Sequence, residues 1–102
     1  MKLLNNYKRK CLRYHQRGST KMLLADGFEL ALLGHVVQNN GSQVACYNRR
    51  SCIEILQTRD GMTHEEAEEF FEYNVAGAYM GEETPIYLNV ATVEDLHELA
   101  DA

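Results

Sequence analysis

The stretch 63–78, THEEAEEFFEYNVAGA, decides how this chain can fold. Its apolar residues recur at spacings of three and four, which predicts an amphipathic helix with one buried face. Thr63 and Glu66 have the spacing of a capping box, in which a hydroxyl and a carboxylate each bond a backbone amide at the helix start. Gly77 is expected to permit close packing against a sheet, and Gly81 to end the helix.

Two apolar runs joined by a turn precede this helix. Residues 29–38 are dense in apolar and β-branched side chains and predict a buried strand, and residues 43–47 predict a second one. Asn40 and Gly41 between them are a strong hairpin signal, because both residue types tolerate a positive φ. We therefore expect two antiparallel strands ahead of the central helices.

A shorter helix is expected between this hairpin and the central helix. Ser51 and Glu54 have the capping-box spacing, which predicts a helix start at Ser51. The helix is expected to run to about residue 58, before Asp60 and Gly61 break it.

The two ends of the chain predict further helices. Residues 2–17 show helical apolar spacing among basic residues, which favours an amphipathic helix, with a basic arm as the alternative. Pro85 suits the start of an edge strand over residues 86–88, and Thr92 is expected to open a C-terminal helix.

These elements predict one α+β domain over residues 1–102. We expect a small, mostly antiparallel three-stranded sheet packed by two central helices, with N- and C-terminal helices. Its expected parts are a basic helix or arm over 1–21, a core over 22–88 and an acidic helix over 89–102.

The composition is that of a single globular domain. The chain has 102 residues, of which 45% are hydrophobic and 25% charged, a balance that argues against disorder. No apolar run approaches the roughly 20 residues of a membrane span, and no secretion signal is recognisable, so we expect a cytoplasmic protein without membrane contact. Cys11, Cys46 and Cys52 lack metal-site spacing and are expected to be reduced thiols, and no cofactor is expected.

Charge is segregated along the sequence. Residues 1–21 contain Lys and Arg but no acid, and residues 60–102 contain Asp and Glu but no Lys or Arg, within a net charge of −5. Three interpretations are open. The basic segment contacts nucleic acid, the acidic half engages a basic protein groove, or the two pack against each other within one chain or across a homodimer by arm exchange.

The central helix also carries a familiar pattern. Residues 61–85 follow G-M-T-x-E-E-A-x-E-F-F-x-x-N-x-x-G-A-Y-x-G-E-x-T-P, which resembles a family of small uncharacterised proteins of bacteriophages and prophages. The resemblance covers roughly residues 22–88. It implies a host bacterial cell, and an action by binding and inhibiting a host enzyme or defence complex, anti-CRISPR activity included.

Our first hypothesis is a non-enzymatic interaction protein that engages a basic, nucleic-acid-handling partner of host or phage. Acidic groups with interspersed tyrosines are typical of docking surfaces for basic partners. The candidate residues are Glu65, Glu68, Glu69, Glu72, Glu82, Glu83, Tyr73 and Tyr79.

The alternative is a nucleic-acid-binding accessory protein that uses its basic N-terminal segment. Its candidate contacts are Lys8, Arg9, Lys10, Arg13 and Arg17. An enzyme ranks last, because the sequence shows no phosphate-binding loop, nucleophile elbow or paired zinc-binding histidines. We therefore expect no catalytic, cofactor-binding or metal-binding residues.

Overall fold

The computed structural model describes residues 12–101. Within them the elements follow one another as two hairpins, a helical pair, a short strand and a last helix. Their bounds are β1 (Leu12–Arg17), β2 (Thr20–Ala25), a 3-10 helix (Glu29–Ala31), β3 (Leu32–Val37), β4 (Gln43–Asn48), α1 (Arg49–Asp60), α2 (His64–Phe70), a π-helix (Phe71–Ala76), β5 (Ile86–Leu88) and α3 (Val93–Asp101).

The strands form two sheets. One has three strands in the order β3-β4-β5, and the other is the β1–β2 hairpin. β3 runs antiparallel to β4, whereas β5 runs parallel to β4 after the helical crossover. The predicted α+β class and three-stranded sheet are confirmed.

The predicted N-terminal helix is wrong over residues 12–17, which form β1. Gly18 turns the chain with a φ of 60°, and β1 then pairs antiparallel with β2. The pairing buries Leu12 beside Leu23 and Ala25. The side chains of residues 12–17 therefore alternate between the two faces of a hairpin instead of following the helical spacing that we expected. Residues 2–11 of that prediction lie outside the described residues.

The predicted buried strand over residues 29–38 needs correction. Its first part is the 3-10 helix, and β3 begins only at Leu32. All six residues of β3 are exposed, and β3 lies at the edge of its sheet. The central strand is β4, in which Val44, Ala45, Cys46 and Tyr47 are buried.

The hairpin turn lies where we expected it. Gln38 donates its backbone N–H to the carbonyl of Ser42 at 2.8 Å, and Gly41 donates to the carbonyl of Gln38 at 2.9 Å. Only Gly41 has a positive φ there, of 89°, as in a three-residue loop that ends in a left-handed residue.

The start of α1 differs from the sequence prediction. The helix begins at Arg49 and is capped by Asn48, whose side chain accepts the backbone N–H of Ser51 at 3.2 Å. The predicted cap at Ser51 is therefore wrong, because an asparagine directly before the first helical residue binds the free amide of the third helical residue. Gly61 ends the helix in a left-handed conformation with a φ of 69°.

The predicted capping box of the central helix is confirmed. Thr63 accepts the N–H of Glu66 at 3.2 Å, and the Glu66 carboxylate accepts the N–H of Thr63 at 2.9 Å. The helix widens after Phe70 into a π-helix and ends at Gly77. Gly81, the predicted end, instead lies in a following turn that Thr84 closes with a 3.2 Å backbone bond.

The core lies between one sheet face and the helices. Tyr47 of β4 is the largest fully buried side chain, and its hydroxyl accepts the backbone N–H of Ala25 at 2.8 Å. Its ring stacks on Tyr87, and Phe71 meets Tyr87 edge-on at 5.0 Å between centroids. These contacts join both sheets to the central helices.

The last helix, α3, has no buried residue. Its apolar side chains Val93, Leu96 and Leu99 are exposed. Thr92 accepts the N–H of Asp95, and Asp95 accepts the N–H of Thr92, each at 3.1 Å, which confirms the predicted start. Among residues 12–101, the helices are all too short or too polar to cross a bilayer.

Candidate functional site

The four glutamates of the central helix share its outer face. The helix buries Ala67, Phe70 and Phe71, and with a period of 3.6 residues the opposite side carries the carboxylates. These are Glu65, Glu68, Glu69 and Glu72, which we call the acidic face.

Among residues 12–101, two members of the acidic face have charged partners. Arg49 at the start of α1 donates to Glu72 at 2.7 Å, and the guanidinium carbon of Arg49 lies 5.4 Å from the centre of the Phe71 ring. His64 lies 3.4 Å from Glu68. The outer ridge of the face is therefore formed by Glu65 and Glu69.

Two tyrosines of the hypothesis are strongly exposed. Tyr73 is 74% and Tyr79 is 76% accessible. Tyr73 follows Glu69 by four residues, so it continues the ridge that begins at Glu65. A large exposed aromatic side chain beside carboxylates can contribute both apolar contact and a hydroxyl to a partner.

Glu82 and Glu83 belong to a separate turn. Tyr14 of β1 donates its hydroxyl to Glu83 at 3.1 Å, and Lys21 lies 4.3 Å from the centre of the Tyr14 ring. The Glu83 hydrogen bond raises the pKa of Tyr14. Glu83 thus neighbours the β1–β2 hairpin, whereas Glu72 neighbours α1, so the six predicted carboxylates divide into two groups.

Of the residues predicted to contact nucleic acid, the structure describes the side chain of Arg13. Arg13 forms a salt bridge with Asp26, and His15 lies 2.8 Å from the same carboxylate. Burial is the largest single influence on the pKa of Asp26, and it raises that pKa. The hydrogen bonds and charges of Arg13 and His15 together outweigh burial, so the pKa of Asp26 is lowered overall. Lys8, Arg9 and Lys10, and the Arg17 side chain, lie outside the described part of the chain.

A cleft that our sequence reasoning missed opens at the carboxyl ends of β4 and β5. Its volume is about 400 Å³, and Asn48, Arg49, Arg50, Asn89 and Val90 line it. The parallel pairing of β4 with β5 brings Asn89 beside the start of α1. The sequence signal for the cleft was the pair of arginines that follows the strand. Guanidinium groups bind carboxylates strongly, and the guanidinium of Arg49 already binds the carboxylate of Glu72.

Within residues 12–101 there is no cluster of three or more His, Cys, Asp or Glu residues that could hold a metal ion. No protein-family model matches the chain, and none of the curated proteins or solved structures is significantly similar to it.

Proposed function

We propose that the chain is a non-catalytic interaction protein that binds a basic protein surface through its acidic face. The observation that carries the proposal is the ridge Glu65–Glu69–Tyr73, in which two exposed carboxylates lead to a tyrosine that is 74% accessible. Glu68 and Tyr79 extend the docking surface, while Glu72 and Glu83 are held by Arg49 and Tyr14.

The acidic face is unfavourable for the isolated helix. Glu65 repels Glu69 and Glu68 repels Glu72 at i,i+4 spacing, and each such pair destabilises a helix by about 0.2–0.5 kcal/mol. Arg49 offsets part of the repulsion at Glu72, but no Lys or Arg occurs between residues 60 and 102 to offset the rest. A basic partner surface would relieve the repulsion on binding.

The tyrosines favour a protein partner. Tyrosine and arginine are enriched at the centres of protein interfaces, where an aromatic ring from one side meets a guanidinium from the other. Proteins that handle nucleic acid present such arginine-rich surfaces, and the resemblance to phage-encoded proteins makes a host or phage protein of this class the expected partner.

A pull-down from nuclease-treated bacterial lysate tests the proposal. The tagged wild-type chain is compared with Glu65→Gln/Glu69→Gln and with Tyr73→Ala, and captured proteins are identified by mass spectrometry. We expect a basic protein that the wild type retains, that both variants lose, and that is released as salt rises, because exposed charge pairs are screened.

The matched control is Glu94→Gln/Glu98→Gln on α3. It removes the same charge at the same spacing from another exposed helix, so it should leave capture unchanged. Capture that resists salt and tolerates Glu65→Gln/Glu69→Gln would contradict the proposal. A parallel pull-down from untreated lysate that recovers nucleic acid, together with proteins that nuclease treatment then removes, would favour the basic N-terminal segment instead.

A further inference from the structure

The β3–β4 hairpin is the one long region of the chain without charge. Residues 30–48, LALLGHVVQNNGSQVACYN, contain no Asp, Glu, Lys or Arg, although a quarter of the whole chain is charged. Leu32, Leu33, Val36 and Val37 of this region are all exposed, and Val37 is 62% accessible.

Among residues 12–101, no strand pairs with the outer edge of β3. Natural edge strands are usually protected by a charge, a proline or an irregularity. β3 has an irregularity only between Leu32 and Gly34, and from Gly34 to Val37 its register with β4 is regular. The protected part is therefore the beginning of the strand, and its second half has a regular register and carries no Asp, Glu, Lys, Arg or Pro.

The register shows which backbone groups face outward. Gln38 donates its N–H to Ser42, and Val36 is paired with Val44 in the same register. Since the bonding direction alternates along an antiparallel strand, Val36 and Gln38 bond to β4. The N–H and C=O groups of His35 and Val37 then point away from the sheet.

We infer that two copies of this chain pair through β3 in antiparallel orientation, about a two-fold axis at Val36. Each His35 would exchange backbone hydrogen bonds with Val37 of the second copy, and the two Val36 side chains would touch across the axis. The product is one continuous sheet in the order β5-β4-β3-β3-β4-β5.

The absence of charge selects a second copy as the occupant. Around a two-fold axis the same surface patch meets itself, so charges of one sign in that patch repel their copies. For a chain of net charge −5, a region without Asp or Glu avoids this repulsion. The hairpin is such a region, and the acidic residues lie outside it.

Disulfide trapping tests the register. In a Cys11→Ser background, with Cys46 and Cys52 buried, Val36→Cys and Val37→Cys are oxidised separately. Directly opposite residues of this pair type lie about 4.5 Å apart between Cα atoms, within disulfide range. The Val37 positions would be offset by two residues, at about 8 Å, beyond that range.

We expect a covalent dimer from Val36→Cys and little from Val37→Cys. The reverse result, or equal trapping of both, would overturn the proposed pairing. No trapping of either variant would overturn it as well.

The mass of the protein in solution gives the second test. We expect wild-type protein to sediment as a concentration-dependent dimer in analytical ultracentrifugation. Val37→Pro removes an outward N–H without touching the β4 ladder, and should raise the dimer dissociation constant about ten-fold or more. Val36→Lys places two like charges at the axis and should give monomer.

The matched control is Val90→Lys, which adds the same charge at another exposed valine and should leave the dimer intact. Circular dichroism verifies that each variant keeps the wild-type fold. A wild type that stays monomeric at its highest attainable concentration would overturn the inference, as would a dimer that Val37→Pro and Val36→Lys leave unchanged.

Discussion

Tyr47 links the two sheets of this protein by a side-chain hydrogen bond. Its ring is buried in the core, and its hydroxyl accepts the backbone N–H of Ala25 at 2.8 Å. A buried amide that loses its acceptor cannot regain a bond from water. The phenol therefore contributes to stability through both its apolar ring and its oxygen.

Replacing Tyr47 with phenylalanine removes the hydroxyl and keeps the ring, so the change in stability measures the contribution of the oxygen. We expect Tyr47→Phe to lower the free energy of unfolding by about 1–3 kcal/mol, because the N–H of Ala25 is left buried without an acceptor. Urea unfolding measures the change. Tyr73→Phe, at an exposed position, is the control and should have little effect; equal losses for both would contradict the role of the Ala25 bond.

The same residue makes the fold sensitive to alkali. Burial raises the pKa of Tyr47 above its ordinary 10.0, although the Ala25 bond acts in the opposite direction. The folded state thus favours the neutral phenol, whose contribution is complete below pH 10 and lost as pH rises through the folded pKa. Stability measured from about pH 8 to about pH 11 should fall more steeply for wild type than for Tyr47→Phe.

Asp26 gives the opposite dependence at low pH. Because its pKa is lowered from 3.8, its contribution is present above that value and is lost as pH falls through the folded pKa. Arg13 is largely exposed, so Asp26→Asn should reduce stability at neutral pH by less than about 1 kcal/mol. Acid unfolding should show the difference from wild type vanishing once the carboxylate is protonated.

Among the elements, the π-helix after α2 has the backbone that tolerates an added side chain least. It ends at Gly77, where an added Cβ would lie 2.8 Å from the carbonyl oxygen of Glu72 and 3.0 Å from that of Tyr73. The glycine therefore permits a close turn of the helix on itself, whereas we had expected it to permit packing against the sheet. Both carbonyls belong to backbone that cannot move aside without rewinding the segment.

We expect Gly77→Ala to destabilise the protein by about 1–3 kcal/mol, since overpacking forces backbone shifts. Thermal unfolding followed by circular dichroism measures the loss. Ala76→Ser, at the preceding exposed position, is the matched control. A Gly77→Ala protein as stable as wild type would show that an ordinary helical end is accessible there.

The elements that the sequence predicts well are those whose signals are local. The Thr63–Glu66 capping box and the Asn40–Gly41 turn depend on a few adjacent residues, and both lie where we expected them. Apart from the cap of α1 and the end of the central helix, the failures concern partners distant in the chain. Residues 12–17 pair with β2 instead of forming a helix, and β3 is an edge because β5 joins the other side of β4.

In the candidate site, too, the sequence predicts local features but not contacts between residues distant in the chain. Helical periodicity placed the four glutamates of the acidic face on one side, in agreement with the structure. The binding of Glu72 by Arg49 and of Glu83 by Tyr14 spans 23 and 69 residues, and no local pattern announces such pairs. The partner and the resemblance to phage proteins remain predictions.

At the scale of the whole molecule, α3 stands apart from the described core. It buries none of its residues, so its removal should expose little apolar surface. We expect a chain that stops after Ala91 to unfold within a few degrees of wild type, a change of less than about 1 kcal/mol. Differential scanning calorimetry measures this, and a large drop would show that α3 stabilises the fold.

The parallel pairing of β4 with β5 has a consequence for how the protein is made. Each hairpin can close soon after its own residues leave the ribosome, because its strands are adjacent in sequence. β4 must wait for the two helices of the crossover to be synthesised before Ile86–Leu88 reach it. During that interval the nascent chain presents a central strand with one unpaired side, and Tyr87 reaches its place between Tyr47 and Phe71 only after both helices have been made.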